Sequence, residues 1–189
     1  MLDVLLVAAT ERELDGRDGL VCGVGPVEAA AATARALAVR NWRAVLHIGV
    51  AGGSGLPAGS LVIGAEAIYC DLSAAIRLVD RVSADPRLVA AAHEVIPGAP
   101  ILPIGTSAAV GGAGHDVAVE AMEGFGVLRA AALAGVPAVE IRAISNEIGE
   151  PDRNRWQITE AIEVISREAP ALIAQISAAV RDERSPHSA

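Results

Sequence analysis

Leu2 to Ala8 is a short, almost unbroken apolar run, the pattern of a strand buried on both faces. Gly19–Gly23 reads as a second short strand, and "GVGP" then opens an Ala-rich stretch, Val27–Val39. Ala is the best helix former and Pro26 suits a first turn, so that stretch predicts a helix. Ala44–Ile48 is a third strand ending at the glycines of "GVAGGSG", and Ser60–Ile63 a fourth, with Ala67–Tyr69 as its continuation. Asp85–Val95 is helical, and Ile101–Ile104 and Val117–Ala121 are candidate strands. Glu123–Ala134 predicts a helix closed by Gly135, Val136–Ile144 a strand, and Gln157–Arg181 a long helix with Pro170 as a candidate break. Strands alternating with helices imply a single α/β layered domain over residues 1–182 around a mixed, largely parallel twisted sheet. Residues 183–189 are expected to form a polar, disordered tail.

Composition narrows the function classes. A hydrophobic content of 52% supports a substantial core, and the net charge of −8 argues against nucleic acid, which needs clustered cations. The basic residues are all Arg, a bias with no functional reading of its own. Cys22 and Cys70 have neither metal spacing nor the density of a disulfide scaffold, as expected of a cytoplasmic protein. The histidines His47, His93, His115 and His187 are scattered, so no metal is implied. No long uncharged apolar run calls for a membrane.

In layered α/β folds ligands bind beyond the carboxyl ends of strands, and three groups of residues follow strands here. In "VAATERE", acids appear at Glu11 and Glu13, either as a solvated helix start or as a catalytic carboxylate. The glycines of "CGVGP" and "GVAGGSG" allow close approach to backbone N–H groups, although neither is a G-x-G-x-x-G loop or a P-loop. In "EAMEGFGVLRAAALAGVPAVEIRAISNEIG", Glu123 sits at a helix start and a very apolar strand ends in Ser145-Asn146-Glu147. Glu123 either stabilises that helix or serves a ligand, and Asn146 either shapes a turn or does the same. Glu140 and Arg142, two apart on a strand, are expected to pair structurally. His115, in a glycine-rich loop, is either solvated or within reach of a ligand.

Taken in this order, "ATERE", "GVGPVEAA", "GVAGG", "MEGFGV" and "RAISN" resemble the nucleoside phosphorylase/nucleosidase superfamily. Within it the "MEGFGV" segment, with "SN" followed by "DRNRW", is most similar to the futalosine hydrolases, which release hypoxanthine from futalosine on an alternative route to menaquinone. The resemblance implies a three-layer αβα fold and no cofactor. It implies that Glu13 activates the attacking water, that Glu123 holds the ribose hydroxyls, and that Asn146 bonds the base. Asn can bond a 6-oxopurine but carries no acidic proton, where relatives acting on 6-aminopurines carry Asp. By the same resemblance Met122 packs on the ribose, Ser145 supports the Asn146 amide, and Trp156 covers the nucleoside, unless it only anchors the last helix. Val24, Val50, Ala51, Gly52, Ala109, Val110 and Ile148 are expected around the ligand. Futalosine carries a carboxyphenyl group at its 5′ end, and Arg153 or Arg155, close to Trp156, is the expected cation for it. The partners implied are a small nucleoside and further copies of the chain, as a homodimer or higher homo-oligomer.

The chain also departs from that family. Few residues separate Glu13 from the next strand, and "GTSAAVGGAGHDVAV" is abbreviated and holds no aromatic for stacking on a purine. Glu120 lies one residue further from Met122 than the acid of the aminopurine enzymes. The alternatives are a purine nucleoside phosphorylase, for which the glycine segments lack the Arg that phosphate requires, and a non-catalytic nucleoside binder, which has no need of Glu13. A nicotinamide-dependent oxidoreductase is disfavoured, because no acid follows strand two to bind a dinucleotide ribose.

Overall fold

The computed structural model describes residues 3–72, 76, 78–110 and 116–181. The expectations for His115 and for the 183–189 tail lie outside them. The strands are β1 (Val4–Ala8), β2 (Leu20–Val21), β3 (Ala44–Gly53), β4 (Leu61–Tyr69), β5 (Arg81–Ser83), β6 (Ile101–Thr106), β7 (Val119–Ala121) and β8 (Ala138–Glu147). The α-helices are α1 (Glu11–Leu14), α2 (Pro26–Val39), α3 (Pro86–Val95), α4 (Gly124–Leu133) and α5 (Ile158–Arg181), with a 3-10 turn at Arg153–Arg155. β1 pairs in parallel with β2 and β3, and β3 with β8, while β4 joins β8 and β5 antiparallel and β6 in parallel. β7 lies parallel to β6 and antiparallel to β3. The pairing therefore closes on itself through β3, β8, β4, β6 and β7. Each of those five strands sends at least one side chain into a small inner core of Ala51, Ile144, Val62, Ile104, Val119 and Ala121.

A larger core lies between the sheet and its helices, where Leu46, Ile48, Ile141, Leu128, Ile165 and Leu172 are all buried. α2 packs on α4 and α3 on α5, and both α4 and α5 lie on β3 and β8, which gives the αβα layering. On α5 the buried residues Ala161, Ile162, Ile165, Ala169, Leu172, Ile176 and Val180 form one helical stripe.

Four segments differ from their expected form. β3 does not stop at Ile48 but runs through the glycines to Gly53, so "GVAGG" is strand rather than turn. β8 likewise extends to Glu147, which puts Asn146 inside a strand. β5 carries too short a pattern to announce itself. α5 is unbroken at Pro170. Proline removes the N–H that would bond the Ser166 carbonyl, and Arg17 Nη2 donates to that carbonyl instead, at 2.6 Å.

Candidate active site

The carboxyl ends of β1, β3 and β8 open on a cavity of about 350 Å³. Chain segments far apart in sequence reach it: Ala9, Thr10 and Glu13 after β1, Val24 after β2, and Val50, Ala51 and Gly52 from β3. Ala109 and Val110 follow β6, and Ala121 ends β7 with Met122 and Glu123 just beyond. Ser145, Asn146, Ile148 and Trp156 reach it from β8 onwards. The site residues expected from the sequence line this one space, apart from the candidate cations Arg153 and Arg155.

Glu13 is buried at the third position of α1, where a capping box fixes it. Its Oε2 accepts from the Thr10 N–H at 3.0 Å and from Thr10 Oγ1 at 2.9 Å, and its Oε1 accepts from the Val50 N–H at 3.1 Å. Glu13 thus caps its own helix and also ties it to β3.

Glu123 occupies the N-cap position of α4 but makes no side-chain cap bond. Thr106 Oγ1 accepts from the Phe125 N–H at 2.8 Å instead, so the helix start does not depend on the acid. The Glu123 carboxylate turns away from its helix and accepts from the Gly25 N–H at 3.1 Å and from Arg142 Nη2 at 3.3 Å. Burial raises its pKa; Arg142 and the Gly25 N–H oppose that, while the nearby charges of Glu13 and Glu140 add to it.

Beneath these acids lies Arg142, fully buried on β8. The expected pair is present, with Arg142 Nε donating to Glu140 Oε1 at 2.7 Å, but the guanidinium also reaches Glu123, the Val50 carbonyl and His47 Nε2. Burial pulls the Arg142 pKa down, but Glu140, Glu123 and Glu13, in that order, outweigh burial and hold it above its ordinary value. His47 is driven well below its ordinary value, first by burial and then by the Arg142 charge. Two glycines make room for the cluster. A Cβ at Gly49, opposite Arg142 in the ladder, would strike the guanidinium and lie 2.7 Å from Glu13 Oε1. One at Gly124 would lie 2.6 Å from the Glu140 carboxyl carbon.

Ser145 and Asn146 are adjacent on a strand yet face the same cavity, which alternation forbids in a regular ladder. The β3–β8 register supplies the reason: Ala51 pairs with Ile144 and Gly52 with Asn146, so Ser145 is the extra residue of a bulge. Ser145 Oγ stands 2.7 Å from Asn146 Oδ1, and Asn146 Nδ2 donates to the Glu147 carbonyl at 2.9 Å. That leaves one amide N–H and one lone pair for a ligand.

Trp156 is the one aromatic among the described lining residues. Its Nε1 donates to the Glu150 carbonyl at 3.1 Å, and the Gln157 N–H bonds the Ser145 carbonyl at 2.7 Å, tying this segment to β8. Arg153 and Arg155 are not in the wall: Arg153 lies 5.7 Å from the Trp156 ring centre and Arg155 pairs with Glu150 at 2.8 Å. Sequence reasoning missed Arg12, Glu120, Ile158 and Ile162, which do line the cavity. The i, i+4 spacing of the two isoleucines was the available signal for them.

A sheet that closes through five strands, with acids from two junctions and an amide from a third facing one cavity, defines a class, and the sequence agrees: the model of the phosphorylase superfamily matches residues 19–181. The chain belongs to the phosphorylase superfamily. Among its relatives is the futalosine hydrolase of Streptomyces coelicolor, 36% identical over an alignment covering 84% of this chain and 80% of that protein. The futalosine hydrolase of Acidothermus cellulolyticus is 34% identical, with 87% and 78% covered. In fold, the chain resembles the futalosine hydrolase of Helicobacter pylori strain 26695, with a TM-score of 0.81 at 15% identity over 91% of this chain and 97% of that one. It also resembles the S-adenosylhomocysteine nucleosidase of Streptococcus pyogenes in complex with 5-methylthiotubericidin, with a TM-score of 0.78 at 23% identity over 93% and 96%.

Proposed function

We infer that this chain is an N-glycosyl hydrolase that cleaves futalosine into hypoxanthine and dehypoxanthine futalosine, a step towards menaquinone. The observation that carries the reading is the convergence of Glu13, Glu123 and Asn146 on one cavity, in a chain 34–36% identical to two futalosine hydrolases over most of its length.

Breaking a purine N-glycosidic bond places positive charge on the ribose and negative charge on the departing base. Glu123, with Met122 beside it, holds the ribose hydroxyls and offsets the sugar's charge. Three donated hydrogen bonds fix Glu13 as an oriented acceptor, which takes the proton of the attacking water. Asn146, steadied by Ser145, bonds the 6-oxopurine as negative charge builds on it. Water rather than phosphate is the nucleophile: the buried guanidinium beside the acids is already taken up by carboxylates, and a phosphate ion brought against Glu13 and Glu123 would be repelled.

The reading includes a homo-oligomer working in a reducing cytoplasm. Support comes from large apolar side chains left exposed around the mouth, Val24 and Val110 among them, and from free Cys22 and Cys70. Light scattering tests the first of these. The function itself is tested by incubating the protein with futalosine and with inosine, with and without phosphate, and measuring free hypoxanthine. Release from futalosine, independent of phosphate and with little from inosine, is the expected result. Release that requires phosphate makes it a phosphorylase, and no release from either makes it a binder.

A further inference from the structure

Arg12 is next to Glu13 in the chain and shares its cavity, but the two side chains go opposite ways because neighbours on a helix diverge by about 100°. Glu13 turns inward to Thr10 and Val50, whereas Arg12 reaches across to the start of α5, where its Nη2 donates to Thr159 Oγ1 at 2.5 Å. Among the described residues its partner is that neutral hydroxyl and not a carboxylate. The other nearby cations are engaged, Arg155 with Glu150 and Arg153 over the Trp156 ring. Arg12 is exposed, so most of its donors stay open to a ligand. It is also the one cation among the described lining residues of a cavity that contains the acids Glu13, Glu120 and Glu123. Beside it Trp156, Ile158 and Ile162 form an apolar face of the same cavity.

We propose that Arg12 is a specificity-determining residue that binds a carboxylate carried on an aromatic 5′ substituent of the nucleoside, with the ring lying against Trp156, Ile158 and Ile162. The proposal rests on the nucleosidase reading above and deepens it. An anion entering this cavity meets acids on most approaches, so its stable position is against the single guanidinium, whose planar fork matches a carboxylate in two-point contact. The apolar face takes the ring that joins that anion to the sugar. Thr159 holds Arg12 against α5 and so sets the distance between the carboxylate and the reacting bond. A nucleoside with a plain 5′-hydroxyl fills neither the apolar face nor the cation and forgoes both contributions.

The test compares futalosine with its carboxamide, which keeps the ring and removes the charge. In the wild type kcat/KM for the acid is expected to exceed that for the amide. Arg12→Gln is expected to lower kcat/KM for futalosine by roughly 10- to 100-fold, chiefly through KM, and that for the amide far less; Arg12→Lys keeps the charge without the fork and falls between. Equal losses on acid and amide mean a merely structural role and overturn the proposal, as does no loss on either. Calorimetric binding of the same pair in a Glu13→Gln background reads the contact even if the wild type releases no hypoxanthine. Failure of turnover then counts against the nucleosidase reading, whereas a preference for the acid that survives Arg12→Gln counts against Arg12.

Discussion

Replacing Arg142 with Met keeps an unbranched side chain but removes the guanidinium and with it the charge. In the native protein the guanidinium donates to Glu140 Oε1 at 2.7 Å and to Glu123 Oε2 at 3.3 Å, with all three side chains buried. Removing one partner of a buried ion pair costs about 3–5 kcal/mol, because the remaining charge stays in the interior uncompensated. For a domain of this size each kcal/mol moves Tm by about 2–4 °C, so the variant should melt roughly 6–20 °C lower at pH 8. The deficit must also depend on pH. Burial already raises the Glu123 pKa, with Arg142 the principal opposing influence, so its loss raises that pKa further. A carboxyl whose pKa is higher folded than unfolded binds more protons in the native state. Its stabilisation is complete below the unfolded value, and it is lost as pH rises through the folded value. The Arg142→Met deficit should therefore shrink as pH falls from 8 towards 5, by up to about 1.4 kcal/mol per pH unit for the one group. Differential scanning calorimetry of both proteins across that range provides the measurement. A deficit that stays constant with pH, or a Tm unchanged at pH 8, refutes the account of Arg142 as the counter-charge of Glu123.

Three further outcomes follow from the same geometry. Glu13→Gln keeps the shape of the side chain but sets an NH2 against a backbone N–H that the carboxylate accepts from, so it should lower kcat by about 10²–10⁴ and cost about 1–3 kcal/mol of stability, as read by steady-state hypoxanthine release and thermal melting. Gly124→Ala would drive a methyl group into the Glu140 carboxyl and should cost about 1–3 kcal/mol, measured by urea denaturation, with activity falling because Glu123 is the adjacent residue. Cys22 is almost inaccessible and its thiol is pushed up to about 12, by burial first and then by the Glu123 charge, so iodoacetamide at pH 8 should leave it unmodified in the native protein and alkylate it in urea, as mass spectrometry of the peptides would show.

The strands that build the centre of the sheet were legible because they are buried on both faces, and such strands read as continuous apolar runs. What misled was glycine. In "GVAGG" it has the look of a turn, yet β3 continues through Gly49 and Gly52, and at Gly49 the missing side chain is the space that Arg142 and Glu13 occupy. Pro170 misled in the opposite direction. A local rule ends a helix there, but the lost bond is made good by Arg17, a residue remote in sequence, which no local pattern can reveal. β5 has three residues, and what defines it is the antiparallel partner β4 rather than its own composition.

The site was legible at the level of residue type and hidden at the level of orientation. Acids and an amide following apolar strands are conspicuous in a chain this apolar, and all three converge. The orientation of each side chain was not legible, because it depends on contacts between elements. Glu123 turns from its own helix only because Thr106, on a different strand, has taken over the cap. Asn146 shares a face with Ser145 only because β8 carries one residue more than β3 at the bulge. In the run "ERE" the acids draw attention while Arg12 reads as an ordinary surface cation, until α5 is folded across it and Thr159 becomes its partner. Arg142 is the extreme case. As one half of an Arg–Glu pair it explains a stable strand, but two of the carboxylates around it belong to the cavity wall. The charge that makes the buried cluster tolerable is therefore the same charge that holds Glu123 at the cavity wall, and the stability of β8 and the electrostatics of the cavity depend on one side chain.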